Sequence, residues 1–441
     1  MMKLELDLIK SFEKKFNRDK TSQAVKNAIA KVGINQATFN NDVLRVHNFE
    51  FSNEVKTGSM TNQKSSGRCW IFAALNMARV KALENLKIKD IEFSQNYIYF
   101  WEKMEKANTF LENIINYALD LEPNDRLFKE FMNNPVSDGG YWEWYLELNK
   151  KYGVCPKQAM PETFHSSSSN DFCEVLNLIV KQAAAEMRRL HKAKVAKKAI
   201  LEIKEQALYD VYNVCVKALG MPPKKFDFEY RDADEKFQKL SNMTPQNFYE
   251  KVIGDEILNK ISLVSDPREI YPYGKLLKSK YFKTVIEGNS NLCLNVPLDE
   301  LKRATIAALK DNKTCWFACD VSQFIDRKSG ILDADLYSWN DALVKLDKLS
   351  KKEKFELGVI YPNHAMNFVG VDLDKKGNPI KWKVENSWGS DIGSKGIFSM
   401  SDKWFDEYMF ESIVDKKYVD PKYLKGLEEE PIEIEPWDPI A

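Results

Sequence analysis

Ser65-Ser66-Gly67-Arg68-Cys69-Trp70-Ile71-Phe72-Ala73-Ala74-Leu75 is the stretch whose reading decides the fold. After Gly67 the pattern turns helical: Ile71, Leu75, Ala78 and Ala82 recur every three or four residues, and Phe72, Ala74 and Met77 widen the buried side. The spacing predicts a central helix opening at Cys69. A sulfur at that point lies among backbone N–H groups with no intrahelical partner, at the positive end of the helix dipole, where a thiolate is stabilised. Cys69 is therefore expected to be a nucleophile. Cys155, Cys173, Cys215, Cys293, Cys315 and Cys319 sit in apolar periodic stretches and read as structural.

The surrounding chain has room for a large core. It holds 441 residues, 44% of them apolar and 29% charged, an ordinary globular mixture that excludes a disulfide scaffold, a collagen and a disordered chain. Lys+Arg and Asp+Glu both number 65, so no whole-molecule field points to nucleic acid or an anionic membrane. No apolar run is long enough for a spanning helix, and the opening Met1-Met2-Lys3-Leu4-Glu5-Leu6-Asp7 is not a signal peptide. With seven scattered cysteines, reduced thiols in a cytoplasm are expected.

Reading outward, the chain divides into an N-terminal covering arm (1–50), a helical half with the nucleophile helix (51–165), a helical insertion (166–280), a β-rich half (281–425) and a C-terminal arm (426–441). The fold class is α+β. Within the insertion the helical period runs from Phe172 to Leu219 and stops at Gly220-Met221-Pro222-Pro223. Between Met187 and Lys198 it carries six positive charges, among them Arg188 and Arg189, which read as a solvated face, with a polyanion-binding patch as the alternative. In the β-rich half, Ile380, Trp382 and Val384 alternate against Lys381, Lys383 and Glu385, the mark of a strand. From Glu428 onward the tail has six acidic groups, no basic ones and three prolines, which predicts an extended arm outside the core.

A cysteine nucleophile needs an imidazole partner, and the chain has only His47, His165, His191 and His364. His364 alone opens a strand, Ala365 to Val371, after the turn-like Pro362-Asn363. Asn386 closes the Ile380–Glu385 strand, so its amide is placed to accept from the imidazole Nδ1–H while Trp388 shields that bond from water. Gln63, six residues before Cys69, offers an amide donor that joins the Cys69 N–H as an oxyanion hole. Gly139-Gly140 breaks the periodic pattern before a further helical stretch, Trp144 to Tyr152. Neither metal nor cofactor is called for, since Cys315 and Cys319 have no histidine or second cysteine pair near them in sequence.

These residues resemble the papain-type cysteine peptidases: Gln63, Ser66-Gly67-Arg68-Cys69-Trp70-Ile71-Phe72, His364-Ala365-Met366 and Asn386-Ser387-Trp388-Gly389. Lys383-Val384-Glu385-Asn386, Met400-Ser401-Asp402-Lys403-Trp404-Phe405 and Pro436-Trp437-Asp438-Pro439 are most similar to the intracellular bleomycin hydrolase and aminopeptidase C branch. Cys69 and His364 are 295 residues apart, against about 130 to 150 in secreted members, and the insertion accounts for the excess. The resemblance implies a papain-like fold in which Cys69 is nucleophile, His364 base and then acid, Asn386 orienter and Gln63 oxyanion donor. It implies substrate contacts at Gly139, Gly140, Ala365, Met366 and Trp388, with the Ala441 carboxylate taking the amino group of the peptide. An aminopeptidase for short peptides, assembled as a ring-like homo-hexamer, follows from it. Because the chain stops soon after Trp437-Asp438-Pro439, an endo-oligopeptidase of the same branch is the alternative, and nucleic-acid binding through the basic helix is an alternative of another class.

Overall fold

The computed structural model describes residues 3–441. The covering arm is helical over α1 (Leu6–Arg18) and α2 (Lys20–Val32), neither of which buries a residue. The helix that Cys69 opens, α3 (Cys69–Leu86), buries 12 of its 18 residues, as a largely apolar helix at the centre of a protein must. It ends at Lys87, whose left-handed backbone closes the last turn. α4 (Gln95–Asn113), α5 (Trp142–Tyr152), α6 (Asn170–Lys192) and α7 (Lys197–Leu219) share with it one apolar cluster.

The second layer is a twelve-stranded mixed sheet. Its principal strands are β1 (Lys260–Val264), β2 (Leu276–Ser279), β3 (Leu292–Asn295), β4 (Cys315–Cys319), β5 (His364–Leu373), β6 (Pro379–Glu385), β7 (Ile397–Ser401), β8 (Met409–Asp415) and β9 (Ile432–Ile434). Neighbours run β9-β2-β3-β1-β8-β4-β5-β6-β7, and β4, β5, β6 and β7 pair antiparallel in sequence order. Strand β5 joins the two layers. Its residues 364–371 are buried on both faces, with Ala365 in the helical cluster and Phe368 in a second cluster among the strands. The Asn367 amide donates to Ala73 O at 2.8 Å and the Trp316 indole to Trp70 O at 3.2 Å, so helix and sheet are also tied by directed bonds.

Two expectations are corrected. The stretch 166–280 is helical only in part: α6 and α7 are separated by a break at residues 193–196, a two-stranded hairpin follows over 226–243, and residues 260–264 and 276–279 belong to the large sheet. Short strands carry too few residues to stand out against the preceding helical texture. The tail is extended, yet it enters the core. Strand β9 pairs parallel with β2, and Ile434 and Ile440 are buried in the strand cluster, because apolar residues between the acidic ones face inward. The basic segment is a solvated face, as expected: Arg189, Lys192, Lys194, Lys197 and Lys198 are exposed, Arg189 pairs with Glu186, and Arg188 turns inward to Ala118 O and Leu121 O.

Candidate active site

The cleft lies where α3 meets the sheet. Arg68, the residue before the helix, offers no side-chain cap, so the N–H groups of Cys69 and Trp70 keep no intrahelical partner, while those of Ile71 and Phe72 bond back to Arg68 O. Its buried guanidinium instead holds the loop, reaching Glu162 through two bonds of 3.1 and 2.7 Å and Ser66 Oγ at 2.9 Å. Cys69 is partly exposed to a cavity of about 370 Å³, whose wall also includes His364, Ala365, Gly139, Gly140, Trp144 and Trp316. The backbone N–H groups of Ala365, Trp70 and Cys69 face the sulfur.

Strand pairing sets the second member. His364 sits opposite Cys319 in the β4–β5 ladder, and its Nε2 lies 3.0 Å from Asn386 Oδ1. The same oxygen accepts the Ser387 N–H at 2.7 Å, which fixes the amide with its oxygen toward the ring. An amide oxygen only accepts, so Nε2 carries the hydrogen. The expectation of an Nδ1–H bond is thus corrected: Nδ1 is the nitrogen left with a lone pair. Trp388 stacks tilted on the imidazole, with ring centres 5.0 Å apart, and Arg327 covers the indole at 4.7 Å.

Electrostatics oppose the simple thiolate expectation. Burial pushes the Cys69 thiol up to about 11, outweighing the lowering by the N–H groups around it, and burial takes the His364 imidazole down to about 4. Each charge is penalised when formed alone. Moving one proton from sulfur to imidazole creates both together, each stabilising the other.

The remaining predicted residues separate into groups. Gly139 and Gly140 line the cavity; Gly139 has φ +92°, and a Cβ on Gly140 would stand 2.5 Å from the Trp70 ring. Ala365 also lines it. Met366 is corrected: strand alternation turns its side chain into the sheet cluster, away from the cavity. Gln63 is buried and is not part of the cavity wall. Its Nε2 donates to Ser66 O at 2.6 Å and its Oε1 accepts from Ser387 Oγ at 2.6 Å, leaving one amide hydrogen unassigned. Trp388 backs the imidazole and is not part of the cavity wall.

The C-terminal arm completes the cleft. Pro439 and Ile440 line the cavity, and Tyr141 Oη donates to the carbonyl oxygen of buried Ala441. Asp438 anchors the arm, accepting from Arg268 at 3.1 and 2.7 Å and from Tyr271 Oη at 2.8 Å. Sequence reasoning overlooked Arg268, Asp138, Lys106 and Glu411, since nothing local marks a charge that will be buried. Glu411, on the cavity wall, has its carboxyl pushed up to about 7 by burial. Among the described residues no cluster suited to a metal ion occurs, and no helix is long and apolar enough to cross a membrane.

Comparison with known proteins agrees with this geometry. Aminopeptidase C of Listeria monocytogenes is 39% identical over 438 residues, covering 99% of this chain and 98% of that one. Human bleomycin hydrolase is 37% identical over 401 residues, covering 90% and 88%. The crystal structure of pepw from Lactobacillus rhamnosis superposes with a TM-score of 0.97 at 36% identity, covering 99% of this chain and 98% of that chain. The model of the Peptidase C1-like family matches residues 3–441, and the chain belongs to that family.

Proposed function

We propose that the protein is a cysteine aminopeptidase that hydrolyses short peptides through Cys69, His364 and Asn386. The observation that carries this reading is a single cavity bounded by Cys69, by His364 with Asn386 behind it, and by the C-terminal arm.

In the reaction, His364 Nδ1 takes the proton of the Cys69 thiol, and the thiolate attacks the peptide carbonyl carbon. The oxyanion is held by the Cys69 N–H and the remaining Gln63 amide hydrogen. The imidazolium then returns its proton through Nδ1 to the leaving amine, and a water activated by the same nitrogen hydrolyses the thioester. Asn386 keeps the ring in the tautomer that presents Nδ1. With the ordinary imidazole value near 6.5 as reference, the lowered proton affinity of His364 favours prompt return of the proton.

Exopeptidase action follows from occupancy. Pro439 and Ile440 wall the cavity that holds Cys69, which supports a reading in which the arm bars residues upstream of the scissile bond and a peptide enters with its amino end against it. Supply of one peptide with a free amino terminus and its acetylated twin tests this: the free form is cut and the twin is not, whereas equal cleavage of both establishes the endo-oligopeptidase alternative. The reading extends to a ring-like homo-hexamer in a reducing cytoplasm, supported by the exposed apolar face of α1, with Leu6, Phe12 and Phe16, and by seven cysteines that are all free. A solution mass near the 51.1 kDa of one chain would contradict the assembly.

A further inference from the structure

Beneath the cleft lies a set of buried charges that the reaction does not use. Asp138 stands one residue before the Gly139-Gly140 pair and accepts hydrogen bonds from five groups. One oxygen takes the Gly67 N–H at 2.7 Å and Ser169 Oγ at 2.6 Å. The other takes Tyr99 Oη at 2.7 Å, Lys103 Nζ at 3.0 Å and the Cys173 thiol at 3.4 Å. Lys103 is fully buried and also contacts Glu102. One turn along α4, Lys106 pairs with Glu102 at 2.5 Å and donates to Ser137 O at 2.6 Å and Gly139 O at 2.7 Å, reaching the cavity wall.

The geometry joins the two working parts of the cleft. Gly67, two residues before Cys69, has its N–H held by Asp138, and its carbonyl accepts the Gly139 N–H at 3.1 Å. The approach is close enough that a Cβ on Gly67 would stand 2.6 Å from Asp138 Cβ. On the far side Gly140 lies against the Trp70 ring. We infer that Asp138 is a positioning residue, which with Lys103 and Lys106 locks the loop carrying Cys69 and the Gly139-Gly140 strand into one rigid unit. A lone buried carboxylate would take up a proton or draw in water; the two ammonium groups keep it ionised, and Glu102 balances the second of them.

The inference rests on Cys69 being the nucleophile, so the experiment separates the two. Iodoacetamide labelling of Cys69 across pH, together with kcat and KM on a free-amino peptide, is measured for the native enzyme, Asp138→Asn, the charge-neutral pair Asp138→Asn/Lys103→Met, and Lys106→Met. Asp138→Asn is expected to lower kcat/KM about 10²-fold, because a nucleophile displaced by about 1 Å loses that much. It also moves the labelling profile to lower pH, since the Asp138 charge near the sulfur raises the thiol and its removal relaxes that effect. His364, on the same cavity wall, and Cys319, whose thiol acts on that of Cys69, are unchanged in the variant. A purely structural role would not shift the profile. The paired variant leaves no unpartnered Lys103 charge if the single one fails to fold, and the same losses are expected from it. Lys106→Met removes the bonds to Ser137 O and Gly139 O and the pair with Glu102 but no hydrogen bond to Asp138 or to the loop carrying Cys69, so it raises KM by about tenfold or more with kcat nearly kept. Native kcat/KM with an unshifted profile in a folded Asp138 variant overturns the inference. A native enzyme whose Cys69 is not selectively labelled instead overturns the reading of the site.

Discussion

Replacing Asp438 by alanine should release the arm and change what the enzyme cuts. The Asp438 carboxylate accepts from Arg268 at 3.1 and 2.7 Å, from Tyr271 Oη at 2.8 Å and from the Ile440 N–H at 3.1 Å. Arg268 keeps Asp266, bonded at 2.6 Å through the same guanidinium, so the substitution leaves no orphaned buried charge. Its effect is therefore loss of attraction: two charge-assisted bonds at roughly 1.5 kcal/mol each, about 3 kcal/mol in all before the neutral bonds are counted. Strand β9 remains paired with β2, which confines the release to residues beyond 434. At about 1.4 kcal/mol per decade, 3 kcal/mol displaces the arm from the cleft about 10²-fold more often. The assay is the ratio of kcat/KM for an acetylated peptide to that for its free-amino twin. The ratio should rise about 10²-fold in the variant, chiefly through the acetylated substrate. An unchanged ratio, or equal losses on both substrates, would refute the assignment of the arm as the barrier.

The acid limb of kcat/KM should fall well below the free imidazole value, near pH 4, because burial of His364 keeps it neutral down to about 4; a limb near 6.5 contradicts this. Glu411→Gln should stabilise the protein at alkaline pH. Burial holds the folded carboxyl above its unfolded value of 4.5, beside the equally buried Glu143, so the stability it contributes is full below 4.5 and is lost as pH rises through the raised folded value. Denaturant unfolding should find the variant more stable at pH 8 and equal to the native protein below pH 4.5; a constant difference refutes it. Gly140→Ala places a methyl group 2.5 Å from the Trp70 ring and should cost about 1–3 kcal/mol of stability together with most of the activity, read by denaturation and peptide hydrolysis; native values for both contradict it.

Much of the site was legible because its signals are local. A cysteine after a glycine loop at the head of an apolar helix marks itself, and the alternation from Ile380 to Val384 places Asn386 at a strand end. What escaped depends on tertiary placement. Residues 364–371 are buried on both faces, so no alternation distinguishes Ala365, on the cavity wall, from Met366, in the core. Ring rotation at His364 is fixed by the Asn386 oxygen across the sheet, which spacing does not encode. Lys103 and Lys106 carry no local mark of burial, and both are buried because Asp138 and Glu102 meet them from another loop and from the helix itself. The helix-start argument for Cys69 gave the place of the sulfur correctly but weighed the dipole without the enclosure of the cleft.

Low-dose iodoacetamide followed by peptide mapping, run beside Cys69→Ala, tests the central claim most directly. Label should appear on Cys69 alone, in proportion to lost hydrolysis, and the variant should neither take label under the same conditions nor cut peptide. Label on another of the seven cysteines accompanying the loss, or hydrolysis that survives the substitution, would contradict it.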